Sequence, residues 1–361
     1  MTLAADAAPF REAPPPIRLL IVDDSAVARA VLSRMVTSQS GFEVAATAAN
    51  AAEAIEVLRR VRVDIVLLDV EMPGRSGLEA LPEILRLGRG ARVLVVSSQC
   101  EAGAEAAVKA LAMGAADTLP KPGAENFAGR FASVLTERLR RIGRADRGEE
   151  RALAARATQQ LREVAPYRLG CLAVGASTGG LHAIVTFLAA LPERIGAPVL
   201  VTQHLPALFM PFFASQLAAA SGRPARVAEE GALLRPDEIL IAPGDAHLAL
   251  DQQGSRVRVR LDREPTASGC LPSVDVMLAA VGEVYGRSGA GAVLTGMGRD
   301  GLTGARILAA RGGVLLTQDR ASSAVWGMPG AIAGAGLASR IAPPADLAAW
   351  LAGRMGRAAW R

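Results

Sequence analysis

Apolar residues in the first third of the chain fall into short continuous runs separated by segments of helical periodicity. Arg18–Val22, Asp64–Leu68 and Arg92–Val96 read as buried strands, with a weaker one at Ala116–Leu119. Ala26–Thr37, Ala51–Val61, Leu78–Leu87 and Glu105–Met113 read as the helices between them. The second half repeats the alternation. Cys171-Leu172-Ala173-Val174 runs into small residues, and a helical pattern follows at Leu181, Ile184, Val185 and Leu188. Pro198–Thr202 and Ala292–Leu294 are further strands, and Ala305–Ala309 resumes a helix. Strands alternating with helices predict parallel sheets covered on both faces, an α/β chain throughout. In such sheets function gathers at the carboxyl ends of the strands.

Length and composition narrow this further. A chain of 361 residues, half of them apolar, is globular and long enough for two domains. No apolar run is long enough to span a bilayer, and residues 1–16, ending in Pro14-Pro15-Pro16, show no secretory signal, so we expect a disordered tail. Cys100, Cys171 and Cys270 are odd in number and widely spaced, as in a reduced, cytoplasmic protein. The net charge of +5 is concentrated. Between Arg138 and Arg168 nine arginines face four acids, so this stretch carries the whole excess. It reads as a solvated linker, and the balanced remainder argues against a nucleic-acid-binding domain.

Polar residues stand at the strand ends of the first half: Asp23 and Asp24, then Asp69, Ser97 and Lys121. One Asp at a strand end is most often a helix cap. Five polar residues at successive strand ends are hard to assign to caps. Three converging carboxylates need a cation, and hard oxygen ligands favour Mg²⁺. The ion would also favour phosphoryl transfer to Asp69, with Lys121 and the Ser97 hydroxyl receiving the phosphate.

In the second half, Gly175-Ala176-Ser177-Thr178-Gly179-Gly180 places Ser177 in a strand-to-helix turn where a nucleophile belongs. Alone, the pattern is weak, because glycine-rich turns have other uses. A serine hydroxyl needs a base, and the chain has three histidines. His204 ends the strand Pro198–Thr202 and would share a sheet edge with Ser177 if the strands are adjacent and parallel. His182, on the following helix, reads as solvent-facing or capping, and His247 as a loop residue before a hairpin, far from any necessary contact. Asp300, in Thr295-Gly296-Met297-Gly298-Arg299-Asp300-Gly301, is the candidate acid. Its loop offers backbone donors such as Met297 for an oxyanion hole. Asp245, Asp275 and Asp319 are rivals outside such a loop. The order Ser…His…Asp departs from the α/β-hydrolase order.

Two resemblances follow from these residues. The region 17–137, with Asp23, Asp24, Asp69, Ser97, Lys121-Pro122 and the Met72-Pro73-Gly74 turn, resembles a response-regulator receiver domain of flavodoxin-like (βα)5 fold. Thr118 stands where receivers usually carry an aromatic switch residue. The region 167–355 resembles the catalytic domain of the chemotaxis protein-glutamate methylesterases. Beyond the triad the match includes Ile241-Ala242-Pro243-Gly244, Ser273-Val274-Asp275-Val276-Met277 and Ser322–Pro329. His182 and Leu205 are small departures. The implied organisation is a tail (1–16), a receiver, an Arg-rich linker (138–166) and a doubly wound, mostly parallel catalytic domain.

The receiver resemblance implies phosphorylation at Asp69 by a histidine kinase. It also implies Mg²⁺ held by Asp23, Asp24, Asp69 and the Glu71 carbonyl, and phosphate sensing by Ser97 and Lys121. The methylesterase resemblance implies hydrolysis of glutamyl methyl esters on the cytoplasmic domains of chemoreceptors by Ser177, His204 and Asp300. Glutamine deamidation would be a companion activity. The unmodified receiver is expected to cover the catalytic cleft, and no nucleic acid, membrane insertion or catalytic-domain cofactor is expected. Two alternatives remain: a same-fold esterase outside chemotaxis, and a non-enzymatic, phosphorylation-dependent binding module.

Overall fold

In the computed structural model, which describes residues 15–97, 101–121, 130–143, 161–254 and 256–355, two parallel sheets organise the chain. The first comprises β1 (Ile17–Val22), β2 (Phe42–Ala48), β3 (Ile65–Asp69), β4 (Arg92–Ser97) and β5 (Asp117–Pro120), in the order β2-β1-β3-β4-β5. Helices α1 (Ala26–Thr37), α2 (Ala51–Arg60), α3 (Gly77–Leu87), α4 (Glu101–Ala112) and α5 (Arg130–Gly143) connect and cover it. The three central strands are almost wholly buried, which is why they read as unbroken apolar runs. Strand order reverses between β1 and β3, so the Asp23 and Asp69 ends stand side by side. Local chemistry fixes the helix starts: Asn50 caps α2, and Ser76 with Glu79 forms a reciprocal capping box on α3.

The second sheet has seven strands: β6 (Cys171–Ala176), β7 (Val199–Gln203), β8 (Ala225–Val227), β9 (Ile239–Ile241), β12 (Gly289–Val293), β13 (Val314–Gln318) and β14 (Arg340–Ala342). Their order is β14-β13-β12-β6-β7-β9-β8, every neighbouring pair parallel. An antiparallel hairpin, β10 (His247–Gln253) with β11 (Arg256–Asp262), lies outside the sheet. Helices α6 (Gly180–Ala189), α7 (Met210–Ser221), α8 (Val274–Tyr285), α9 (Leu302–Ala310), α10 (Met328–Gly334) and α11 (Pro344–Arg354) complete this half. Strand β6 is central, with β12 on one side and β7 on the other, so the ends of all three strands meet.

The two halves share one apolar cluster, in which Ala104, Ala107, Val108 and Leu111 of α4 join Leu181, Leu205 and Phe209. Polar contacts among the described residues tie them together. The Gly179 N–H donates to the Ala116 carbonyl at 2.7 Å, His182 Nδ1 reaches the Ala112 carbonyl at 2.8 Å, and Arg92 donates to the Ser323 carbonyl at 3.3 Å. The Arg-rich stretch begins inside α5, where Arg138 pairs with Asp117 at 2.8 Å. Towards its other end Arg162 donates to the Ala309 and Gly313 carbonyls. Most of the tail expected at 1–16, and residues 144–160 of the linker, lie outside the described residues, as do Cys100 and Pro122.

Candidate active site

Ser177, His204 and Asp300 follow β6, β7 and β12 respectively, and they form one hydrogen-bonded chain. His204 Nδ1 lies 3.1 Å from Ser177 Oγ, and His204 Nε2 lies 2.9 Å from Asp300 Oδ2. When the ring is neutral, the carboxylate of Asp300 fixes the tautomer: Nε2 carries the proton, and Nδ1 presents its lone pair to the serine hydroxyl. The condition set on His204 by the sequence, an adjacent parallel strand, is met by the β6–β7 pairing of Ala176 with Gln203.

Backbone packing holds the serine turn. Its N–H donates to the Thr295 carbonyl at 3.0 Å, and its carbonyl accepts from Gln203 Nε2 at 2.8 Å. Gly179 has a φ of +73°, where a side chain would be strained and would overlap Ala324. Gly296 must also lack a side chain, because a Cβ there would stand 2.9 Å from both Cβ and N of Ser177.

Asp300 is buried, yet well supplied with donors. It accepts from Ser273 Oγ at 2.7 Å, the Val274 N–H at 2.7 Å, Ser268 Oγ at 3.1 Å and the Asp275 N–H at 3.3 Å. Burial opposes its ionisation, but the bonds from His204, Ser273 and Val274 outweigh it and hold the carboxyl down at about 2. Burial likewise opposes the His204 imidazolium, and the Asp300 bond, with Cys270 acting in the same direction, overcomes it and raises His204 to about 9. The other carboxylates have separate tasks. Asp275 binds the Gly304 N–H at 2.8 Å, Asp319 accepts from Ser322, and Asp245 stands exposed, 3.9 Å from Arg263.

Ser177, His204, Cys270, Met297 and Gly298 line a cavity of about 320 Å³. Leu111, Ala116, Asp117 and Arg138 of the first half line it as well. Cys270, Ser268 and Ser273 were not singled out for the site by sequence. His247, expected to be remote, is buried and accepts the Ser273 N–H at 2.9 Å. The exposed His182 bonds to the facing half.

The second cluster lies at the reversal of the first sheet. Carboxylate oxygens of Asp23, Asp24 and Asp69 approach within 4.8 Å of one another. Lys121 Nζ sits 2.7 Å from Asp69 Oδ2 and 3.3 Å from Asp23 Oδ2. Burial pushes the Asp69 carboxyl up despite Lys121, while the two carboxylates together raise the partly buried ammonium of Lys121. The Glu71 N–H donates to Asp69 at 3.2 Å. Ser97 Oγ and Thr118 Oγ1 are buried with no hydrogen-bond partner among the described residues. An all-oxygen donor set and an orphaned hydroxyl nearby fit a hard divalent cation and an incoming phosphoryl group.

Comparison with known proteins decides the family. Residues 172–351 match the model of the CheB methylesterase family, and residues 19–127 that of the response regulator receiver domain. The protein-glutamate methylesterase/protein-glutamine glutaminase 1 of Paramagnetospirillum magneticum is 36% identical, over 93% of this chain and 95% of its own. The chain belongs to the CheB methylesterase family. A similarly named protein of Caulobacter vibrioides is 39% identical, over 94% of this chain and 99% of its own. The crystal structure of the Thermotoga maritima CheB methylesterase catalytic domain aligns with a TM-score of 0.50 and 32% identity, covering 52% of this chain and 99% of that one. This CheB-family chain is therefore a carboxylic ester hydrolase with a receiver domain, and its mostly parallel α/β sheets are those the sequence predicted. No helix among the described residues is long and apolar enough to cross a membrane.

Proposed function

We propose that the chain hydrolyses glutamyl γ-methyl esters on the cytoplasmic signalling helices of chemoreceptors, with Ser177 as nucleophile, His204 as base and Asp300 as its orienting acid. The observation that carries this reading is the Ser177–His204–Asp300 chain, with bonds of 3.1 and 2.9 Å and with Ser177 and His204 lining one cavity. Ser177 Oγ attacks the ester carbonyl while Nδ1 of His204 takes its proton. The imidazolium is held by Asp300, and its proton passes to the departing methoxide, releasing methanol and leaving a glutamyl-serine ester. Water, deprotonated by the same Nδ1, then cleaves the acyl-enzyme to the glutamate carboxylate. A glutamine amide follows the same course with ammonia as leaving group.

The Ser177 and Gly180 N–H groups are engaged inside the turn, by Thr295 and Ser177 carbonyls. We therefore assign oxyanion stabilisation to the cavity-lining loop at Met297, through its backbone N–H.

Control comes from the first domain. A histidine kinase donates a phosphoryl group to Asp69; Asp23, Asp24, Asp69 and the Glu71 carbonyl would hold Mg²⁺, which when bound would supply charge neutralisation for the phosphoryl oxygens. Lys121 then pairs with the phosphate, and the unpartnered Ser97 hydroxyl donates to it. Ser97 and Lys121 bracket the segment from α4 to β5, which supplies the Ala112 and Ala116 carbonyls and the Leu111 wall at the catalytic cleft. Movement of that one segment links the two sites. Phosphorylation shifts the docked equilibrium by its differential free energy in the two states.

The test is methanol release from methylated receptor fragments, with and without a small phosphodonor. Release that rises with phosphodonor and vanishes in Ser177→Ala supports the reading. Release unaffected by Ser177→Ala refutes the nucleophile. A fragment starting near residue 160 is expected to outpace the unphosphorylated chain, and equal rates would refute autoinhibition by docking.

A further inference from the structure

We infer that His247 is a positioning residue for the ester hydrolysis, acting on Asp300 through Ser273. The inference rests on the roles given above to Ser177, His204 and Asp300.

His247 opens β10 and is 1% exposed. Both ring nitrogens are committed. Nδ1 accepts the Ser273 N–H at 2.9 Å, so it carries no proton, and Nε2 donates to the Glu264 carbonyl at 3.0 Å. The ring is a neutral clamp between the end of the hairpin and the start of α8. Asp262, opposite it across the hairpin, is itself engaged by Arg260 and the Glu264 N–H.

Ser273 is the N-cap of α8, and it faces two ways. Its N–H is held by His247, while its hydroxyl donates to Asp300 Oδ1 at 2.7 Å. The next two N–H groups, Val274 and Asp275, also donate to Asp300, at 2.7 and 3.3 Å. Fixing the Ser273 peptide therefore fixes three of the donors that aim the carboxylate at His204. His247 does not line the substrate cavity, so its effect runs through Asp300 and not through substrate binding.

The experiment compares His247→Asn with His247→Phe in the full-length chain under saturating phosphodonor. Asn restores an acceptor for the Ser273 N–H, whereas Phe keeps the ring's bulk without one. We expect His247→Phe to lower kcat about tenfold with KM unchanged, the scale of one lost hydrogen bond. Its acid limb should move from the raised His204 value towards that of ordinary imidazole. His247→Asn should keep most of kcat and the original limb. NMR titration of the His204 ring reads the same change without substrate, so it decides this inference even if wild type releases no methanol and the proposed function fails. If the Phe variant does not fold, His247→Leu, a smaller side chain that likewise offers the Ser273 N–H no acceptor, should show the same limb shift. The inference is overturned if neither replacement moves the His204 titration, or if Asn is as impaired as Phe.

Discussion

Replacing Asp300 with Asn removes the charge that holds His204 while keeping the size of the side chain, and the consequence for stability has a definite sign. His204 is raised from an ordinary 6.5 to about 9, so folding is favoured by imidazolium formation. That stabilisation is fully present below pH 6.5 and drains away as pH rises through 9. At about 1.4 kcal/mol per pH unit, the span amounts to about 3 kcal/mol. The imidazole is 18% exposed, so screening trims the figure only modestly. Asp300, held at about 2 by His204 together with Ser273 and Val274, reports the same bond only in part: its contribution is lost as pH falls from 3.8 through 2. The two windows bracket one interaction and are not to be added. Unfolding free energies from urea titration of wild type and Asp300→Asn, taken from about pH 5.5 to about 9.5, should converge by at most about 3 kcal/mol, because Cys270 shares in raising His204 and stays in the variant. Burial also raises the Cys171 thiol, but that effect is common to both proteins and cancels in the difference. A gap that stays flat across the window, or widens, would refute the strength assigned to the bond. The same titration governs the base, so kcat/KM of the wild type should climb with pH towards 9. In Asp300→Asn the limb should fall to lower pH while the rate drops ~10³–10⁴-fold.

Three further outcomes are expected. His182→Ala deletes the exposed bond to the Ala112 carbonyl, worth about 1 kcal/mol, and should raise the unphosphorylated methanol-release rate about fivefold; an unchanged basal rate would argue against that contact in solution. Gly296→Ala forces a methyl group against Ser177 and Met328, so activity should fall at least ~10²-fold with a lowered Tm; near-normal turnover would show that the turn can yield. Asp69→Asn should abolish stimulation by a small phosphodonor, measured as the ratio of rates with and without it, and a preserved ratio would place the acceptor elsewhere.

The residues legible in sequence were those that announce themselves locally. Buried central strands such as Ile65–Asp69 are continuous apolar runs, and the polar residue ending each run is conspicuous. β2 has no such signature because it lies at the sheet edge, only partly buried, with Glu43 and Thr47 interrupting its apolar residues. The environment of Asp300 was invisible for a different reason. Two of its four further donors are backbone N–H groups, which every sequence possesses, and Ser273 lies 27 residues away. His247 reads as a hairpin residue in sequence because nothing local says that the hairpin folds back onto the start of α8. Chain order carries side-chain type; only topology carries which backbone groups converge.

The catalytic cavity has walls from both domains, so any compound that fills it contacts Leu111, Ala116 or Arg138 as well as Ser177 and His204. Such a compound would act as an adhesive between the domains, stabilising their closed arrangement in addition to covering the nucleophile. Thermodynamic reciprocity then fixes its pharmacology: whatever factor phosphorylation takes from the closed state, it takes equally from the compound's affinity. Compounds of this class would silence the idle enzyme and release it on stimulation, whereas a reagent that bonds covalently to Ser177 would gain reactivity when the pathway is active.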